Sequence, residues 1–229
     1  MAILAGGRAT RLGAVARRVP KAMVPVAGRP FVEHQLAALR AHGARRIVLL
    51  VGHLGEAIEA GVGDGRGFGL EVAYSWDEPA LDGTAGALRR ALPLLGERFL
   101  VLYGDAYLRV DYREVDRVHA ASGRPALMTV LRNRGRWGES NAVVRAGLVT
   151  AYGKRPPPQG ARWIDYGLSA LRADALRDRA EPDLADAVRH LAAAGQVAAY
   201  PVGKRFYEIG TPDALAETEA FLRREHGRR

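Results

Sequence analysis

The chain has 229 residues, 48% of them hydrophobic and 26% charged, which is ample for one large domain with a real core. It contains no cysteine, which excludes a disulfide framework, a thiolate metal site and a thiol nucleophile. A net charge of +9 points to anionic ligands; arginines break every apolar run near the start and no stretch approaches the ~18 apolar residues of a membrane span, so a soluble cytoplasmic protein without membrane contact is the expectation.

Ile3 and Leu4 read as a buried strand that runs into Gly6-Gly7. Pro30 to His42 has apolar residues at helical spacing and stops at Gly43. Ile47 to Val51 is a continuous apolar strand, HLGEAIEAGV a short helix and LEVAYSW an alternating strand. TAGALRRALPLL reads as a helix, RFLVLYGD as a strand ending in Gly104-Asp105, YREVDRVHAA as a helix and PALMTVLR as a strand. This alternation predicts an α/β fold, a Rossmann-like, doubly wound and mainly parallel sheet covered on both faces. From Asn133 to Gly160 the pattern changes to short strand-like pieces and the triple proline 156–158, which predicts a small mixed subdomain laid over one edge. WIDYGLSALR returns as a strand, two helices and two short strands follow, and Thr211 caps a closing helix with Pro212 at its first position. The expected division is a core over 1–131 and a second region with the closing helix over 132–229, within one domain.

In doubly wound sheets ligands sit beyond the carboxyl ends of the strands, where Gly6-Gly7, the segment from Trp76 to Gly83, and Gly104-Asp105 should converge. Two glycines after a strand let backbone amides approach an anion, and Arg11 supplies a charged fork. No Walker lysine and no Gly-x-Gly-x-x-Gly fingerprint follows. Of the 34 basic residues only Lys21, Lys154 and Lys204 are lysines, and a compact ammonium is not interchangeable with a guanidinium. The arginines are scattered over most segments without clustered aromatics, which argues against a specific nucleic acid partner.

The stretch AGGRATRL, followed by VPKAMVPVAGRP, resembles the sugar-1-phosphate nucleotidyltransferase family at Gly6, Gly7, Thr10, Arg11, Leu12, Pro20, Lys21, Met23, Pro25, Val26, Gly28 and Pro30. The similarity continues through DEPALDGTAGALRRAL, VLYGDAYL, GLVTAYGKRP, IDYGLSAL and FYEIGTPDALAETEAFL. It implies the nucleotide-diphospho-sugar transferase fold. It also implies an enzyme that takes a nucleoside triphosphate and a sugar 1-phosphate, releases pyrophosphate and uses Mg2+. Leu4, Ala5, the Gly6-Gly7 loop, Thr10 and Arg11 would hold the nucleotide, with Lys21 at its phosphates and Gly83 and Thr84 at the base. Asp105 and Glu208 would be the metal ligands, and Lys154 would grip the sugar phosphate on a strand-flanked pocket that includes Gly167. Arg11, Lys21, Asp105 and Lys154 are thus the implied catalytic set, and the family allows a homodimer. Glu208 stands where aspartate is usual, and Gly153 where some relatives carry a sugar-binding acid; Asn141 and Asp165 are the candidates to replace that acid.

Glu78 precedes Gly83 on the loop expected to face the base. A carboxylate only accepts hydrogen bonds, which suits the adjacent N1–H and N2–H2 donors of guanine, so GTP is the expected nucleotide and mannose or heptose 1-phosphate the expected acceptor. Uridylyl, thymidylyl or cytidylyl transfer, a different alcohol phosphate, and a non-catalytic sensor of nucleotide sugars are the competing readings. The six histidines show no ligand spacing, and Trp137 and Trp163 either flank the sugar pocket or pack.

Overall fold

The computed structural model describes residues 1–7, 19–77 and 83–227; Thr10, Arg11 and Glu78 lie outside the described residues. The first half contains β1 (Ala2–Leu4), β2 (Pro25–Val26), β3 (Arg29–Pro30), α1 (Phe31–Ala41), β4 (Arg46–Val51), α2 (Gly55–Val62), β5 (Glu71–Trp76), α3 (Gly83–Leu95), β6 (Arg98–Tyr103), β7 (Ala106–Tyr107), α4 (Tyr112–Ser122) and β8 (Ala126–Arg132). The second half adds β9 (Ala142–Arg145), β10 (Leu148–Tyr152), β11 (Trp163–Arg172), α5 (Asp174–Arg177), α6 (Leu184–Ala193), β12 (Val197–Val202), β13 (Tyr207–Glu208) and α7 (Pro212–His226).

Nine strands form one sheet in the order β5-β4-β1-β6-β11-β8-β12-β10-β9. The first four are parallel neighbours. Beyond them the sheet is mixed: β11 runs antiparallel to both β6 and β8, and β10 antiparallel to β12 and β9. The long β11 inserts between two strands that precede it in sequence, a long-range pairing with no local signature. The segment expected to lie over one edge differs too. β9 and β10 are the edge of the same sheet, and β9 also closes back on the start of β11.

Strand periodicity explains how the layers form. In β4, Ile47, Leu49 and Val51 pack with Leu36 and Leu39 of α1, Ile58 of α2 and Val115 of α4 on one face. Val48 and Leu50 point the other way, with Leu88 of α3, Leu176 of α5 and Leu191 of α6. A third small cluster joins Phe221 and Leu222 of α7 to Val24, Val26, Phe31 and Ile209. The predicted cap of α7 is present: the Thr211 hydroxyl accepts from the amide of Ala214 at 3.3 Å.

All four parallel strands deliver their carboxyl ends to one side, where the backbones crowd. Gly104 donates to the carbonyl of Leu4 at 3.1 Å, and a Cβ on Gly104 would stand 2.4 Å from that same oxygen. Replacing Gly104 with alanine should therefore force β1 and β6 apart and cost about 1–3 kcal/mol. The check is a lower urea midpoint at unchanged m value; an unshifted midpoint contradicts the steric argument.

Candidate functional site

At this end of the sheet lies a cavity of about 390 Å³. Leu4, Ala5, Gly6, Gly7, Lys21, Gly83, Thr84 and Asp105 all line it, which brings together every described residue expected at the nucleotide site. Lys21 opens a short 3-10 turn after Pro20 and places its Nζ 2.6 Å from Asp105 Oδ2. The two side chains are only 15% and 29% exposed. The ammonium has three donors and Asp105 takes one, which leaves two for an anionic ligand.

Asp105 owes its position to its backbone. The amide nitrogen of the buried Gln35, on α1, donates to the carbonyl of Tyr103 at 3.1 Å and to that of Ala106 at 2.8 Å. The Asp105 carbonyl itself accepts from the amide of Ile209 at 3.0 Å. With the bond from Gly104 to Leu4, three elements distant in sequence hold this one turn.

Three polar lining residues were not singled out from sequence, Asp77, Tyr103 and Asp183, although Asp77 falls in the segment from Trp76 to Gly83 that was expected to converge here. Asp77 follows β5, and its Oδ2 lies so near Gly6 that a Cβ there would come within 2.6 Å; the glycine is needed for this close approach. Its position directly after a parallel strand was the available signal. Asp183 has none, because its segment approaches the cavity only through tertiary packing.

That segment forms the far wall. Gly83, at φ +66°, begins α3, and the carbonyl of Pro182 accepts from the amides of Ala85 at 2.8 Å and Gly86 at 3.3 Å. The Thr84 hydroxyl accepts from the amide of Leu184 at 2.8 Å. The first turn of α3 thus spends two of its orphan donors on protein. Glu181 anchors the wall: its carboxylate meets His190 Nδ1 at 2.6 Å and Arg179 at 3.1 Å, while its carbonyl accepts from Arg89 at 2.8 Å. The bond to His190, with help from the local backbone and Arg179, lowers the Glu181 carboxyl from 4.5 to about 2. A depressed carboxyl contributes stability that is complete above its unfolded value and is lost as pH falls through the folded one. The wild-type thermal midpoint should therefore drop between pH 4.5 and about 2, and Glu181→Gln should reduce that slope. Equal slopes for both proteins would remove Glu181 from this account.

A second recess of about 910 Å³ joins the first along Thr84, Tyr103 and Asp183. Lys154, Gly153, Arg155 and the triple proline line it. Lys154 Nζ lies 3.4 Å from the hydroxyl of Tyr103 and 4.6 Å from its ring centroid. Burial opposes the Lys154 charge, but Tyr103, Asp165 and Asp105 outweigh it and leave the ammonium above its ordinary range.

Asn141, Asp165 and Gly167 lie behind this recess and not in its lining. Asn141 Oδ1 accepts from the Asp165 amide at 2.8 Å. The Asp165 carboxylate accepts from the Gly167 amide at 3.0 Å and from the Tyr152 hydroxyl at 2.9 Å. Gly167, at φ +100°, sits where the β11–β8 register shifts, packed against Ala106, Leu108 and Tyr103. Its glycine identity answers that backbone conformation.

Glu208 pairs across β13–β7 with Ala106, so its backbone neighbours Asp105. Its carboxylate, however, folds over Gly210 and lines a separate recess of about 290 Å³ with Trp137 and Arg205. Among the described residues no three Asp, Glu or His side chains converge as a metal cage. Magnesium does not require one, since it commonly takes one or two carboxylates with substrate phosphates and water, and the oxygen donor of Asp105 beside a bound cation fits that chemistry. Arg205 stacks between Trp137 at 4.1 Å and Tyr207 at 4.5 Å, and Arg132 lies over Trp163, so both tryptophans pack against arginines. Lys204 is exposed.

Residues 1–152 match the model of the nucleotidyl transferase family. The chain belongs to that family. Over 162 residues it is 33% identical to a UTP–glucose-1-phosphate uridylyltransferase of Synechocystis, covering 66% of this chain and 39% of that protein. It is 32% identical over 109 residues to a D-glycero-alpha-D-manno-heptose 1-phosphate guanylyltransferase of Campylobacter jejuni, covering 48% of each. The matched regions thus span two fifths to about half the length of these curated relatives. A crystal structure described as a putative glucose-1-phosphate thymidylyltransferase from Bacillus anthracis superimposes with a TM-score of 0.85 at 20% identity, covering 97% of this chain and 94% of that one, and so shares the fold. No helix among the described residues is long and apolar enough to cross a membrane.

Proposed function

We propose that this nucleotidyl transferase family member joins a nucleoside monophosphate, taken from a nucleoside triphosphate, to a sugar 1-phosphate and releases pyrophosphate. The observation that carries the reading is the geometry of the cleft. One cavity holds the glycine strand end and the Lys21–Asp105 pair, and it opens past Tyr103 into a larger recess holding Lys154.

The reaction brings two anionic phosphates together, at a Coulomb cost of about 4 kcal/mol per charge pair at ~4 Å in an intermediate dielectric. Lys21 and Lys154 approach this junction from opposite recesses and offset that repulsion as the acceptor oxygen attacks the α-phosphorus in line. The acceptor phosphate is ionised at neutral pH, so the site requires no general base. Asp105, with Glu208 after a rotation of its side chain, would hold Mg2+, which when bound neutralises triphosphate charge. Arg11 is assigned to the triphosphate through the family motif.

For the base, Glu78, which follows Asp77 of the cavity wall in sequence and whose carboxylate only accepts hydrogen bonds, favours guanine over uracil or thymine, and mannose or heptose 1-phosphate is the favoured acceptor. Relatives named for guanylyl and for uridylyl transfer both match, so the test is a full matrix. Purified protein with Mg2+, each nucleoside triphosphate and each of several sugar 1-phosphates is assayed for pyrophosphate. Highest turnover with GTP is expected, and Asp105→Asn should lower kcat by about 10²-fold or more. Better turnover with UTP or dTTP overturns the guanine assignment. No turnover of any pair overturns the activity.

A further inference from the structure

The larger recess has more room and more positive charge than the junction with the first cavity uses. The cavity read as the nucleotide site measures about 390 Å³ and the recess read as the acceptor site about 910 Å³, although a sugar 1-phosphate is the smaller molecule. Lys154 serves the junction. Two further cations, Arg155 and Arg189, line the same recess and have no part in the reaction described above.

Helix α6 fixes where one of them stands. Asp183, at its N-cap, lines both spaces and so marks the junction. Asp186, Arg189 and Ala193 follow at intervals of three and four on one helix face, and all three line the recess. At 1.5 Å per residue, Arg189 lies about 9 Å farther along the axis than Asp183. That separation suits a pyranose ring with its phosphate at the junction and a substituent at the opposite end. Arg155 comes from the loop after β10, whose Pro156, Pro157 and Pro158 have fixed φ, and which is tied down where the Gly153 amide donates to the Asn141 carbonyl at 3.0 Å. The Arg155 guanidinium has no ion pair or side-chain hydrogen bond among the described residues. Arg189 meets only Asp186, at 3.0 Å, in a half-exposed pair that solvent leaves weak.

We propose that the acceptor carries a second anionic group, a carboxylate or a further phosphate, at the end of the sugar remote from its anomeric phosphate, and that Arg155 and Arg189 bind it. The inference rests on the proposed nucleotidyl transfer and refines it: the mannose or heptose frame stays, and an acid is added to it. A guanidinium is a planar fork that matches carboxylate and phosphate alike, whereas the hydroxyls of a neutral sugar call for no second cation. The acids of the recess do not oppose this. Asp186 is balanced by Arg189, and Asp183 stays at the junction, where the Thr84 hydroxyl donates to it at 3.5 Å.

The test measures kcat/KM, with the nucleotide that the wild type uses best, on acceptors that differ only at C6. Glucose 1-phosphate is set against glucuronic acid 1-phosphate and glucose 1,6-bisphosphate, and mannose 1-phosphate against mannose 1,6-bisphosphate. At least one acid-bearing acceptor should exceed its neutral counterpart by about tenfold or more, the worth of one charge-assisted hydrogen bond. The uronate and bisphosphate arms tell carboxylate from phosphate. In a double variant, Arg155→Gln with Arg189→Gln, that ratio should fall to near one. Both side chains are exposed, so the variant should keep the wild-type thermal midpoint. Neutral acceptors used as well as every acid-bearing one overturn the proposal, and so does a preference that the double variant retains.

Calorimetric titration without nucleotide separates this inference from the activity it rests on. The wild type should bind glucose 1,6-bisphosphate or glucuronic acid 1-phosphate more tightly than glucose 1-phosphate, and the double variant should not. If no pair turns over, the nucleotidyl reading fails on its own and this titration alone decides the recess. Equal binding of all three compounds, or a preference kept by the double variant, then overturns the assignment.

Discussion

The four-residue turn from Tyr103 to Ala106 is the constraint on which the cleft depends. Its polar backbone groups are claimed by β1, by α1 and by the segment leading into α7. A buried carbonyl left unpaired costs about 1–3 kcal/mol, so the two bonds from Gln35 tie the turn firmly to the helix beneath it. Gln35 gives both amide hydrogens to this task, while its own Oε1 has no partner among the described residues. The side chain that matters most for the position of Asp105 is thus one that never reaches the cavity.

Electrostatics follow from that placement. Most ion pairs among the described residues join exposed arginines to exposed carboxylates, as in Arg66–Asp64 and Arg177–Glu97, where solvent leaves little net stabilisation. The Lys21–Asp105 pair is sheltered by comparison, and Lys154 keeps its charge against burial because Tyr103 and then Asp165 and Asp105 favour the ammonium. Two of the three lysines are therefore spent at one junction. Among the described arginines, Arg155 and Arg189 also line the larger recess.

Much of this could be read from residue order alone. The continuous apolar run from Ile47 to Val51, the helix from Pro30 and the Thr211 cap all rest on local periodicity or chemistry, and each element stands where it was expected. Gly6, Lys21 and Asp105 were legible through fixed spacing in a known motif. What escaped depends on partners far apart in the chain. Nothing near Trp163 announces that β11 will insert between β6 and β8, and nothing near Asp183 announces a cavity wall. The two-residue strands β2, β3 and β7 are too short to leave a pattern. Asp165 was a candidate for sugar contact, but the direction of its carboxylate, toward Tyr152 and the Gly167 amide, is a property of packing.

The sheet order has a further consequence for how the molecule comes into being. The strand Ala2–Leu4 lies in the sheet interior, third in the nine-strand order, between partners that begin at Arg46 and Arg98. During translation it emerges with neither neighbour available, and its second seam closes only after some hundred residues have left the ribosome. The glycines that follow it acquire their final surroundings only after segments far along the chain have been made. Such late closure of distant contacts slows folding and leaves a short apolar segment waiting in solvent. The cleft is complete only when Tyr103 and the turn beyond it lie beside Leu4 and the Pro182–Leu184 wall lies against the start of α3.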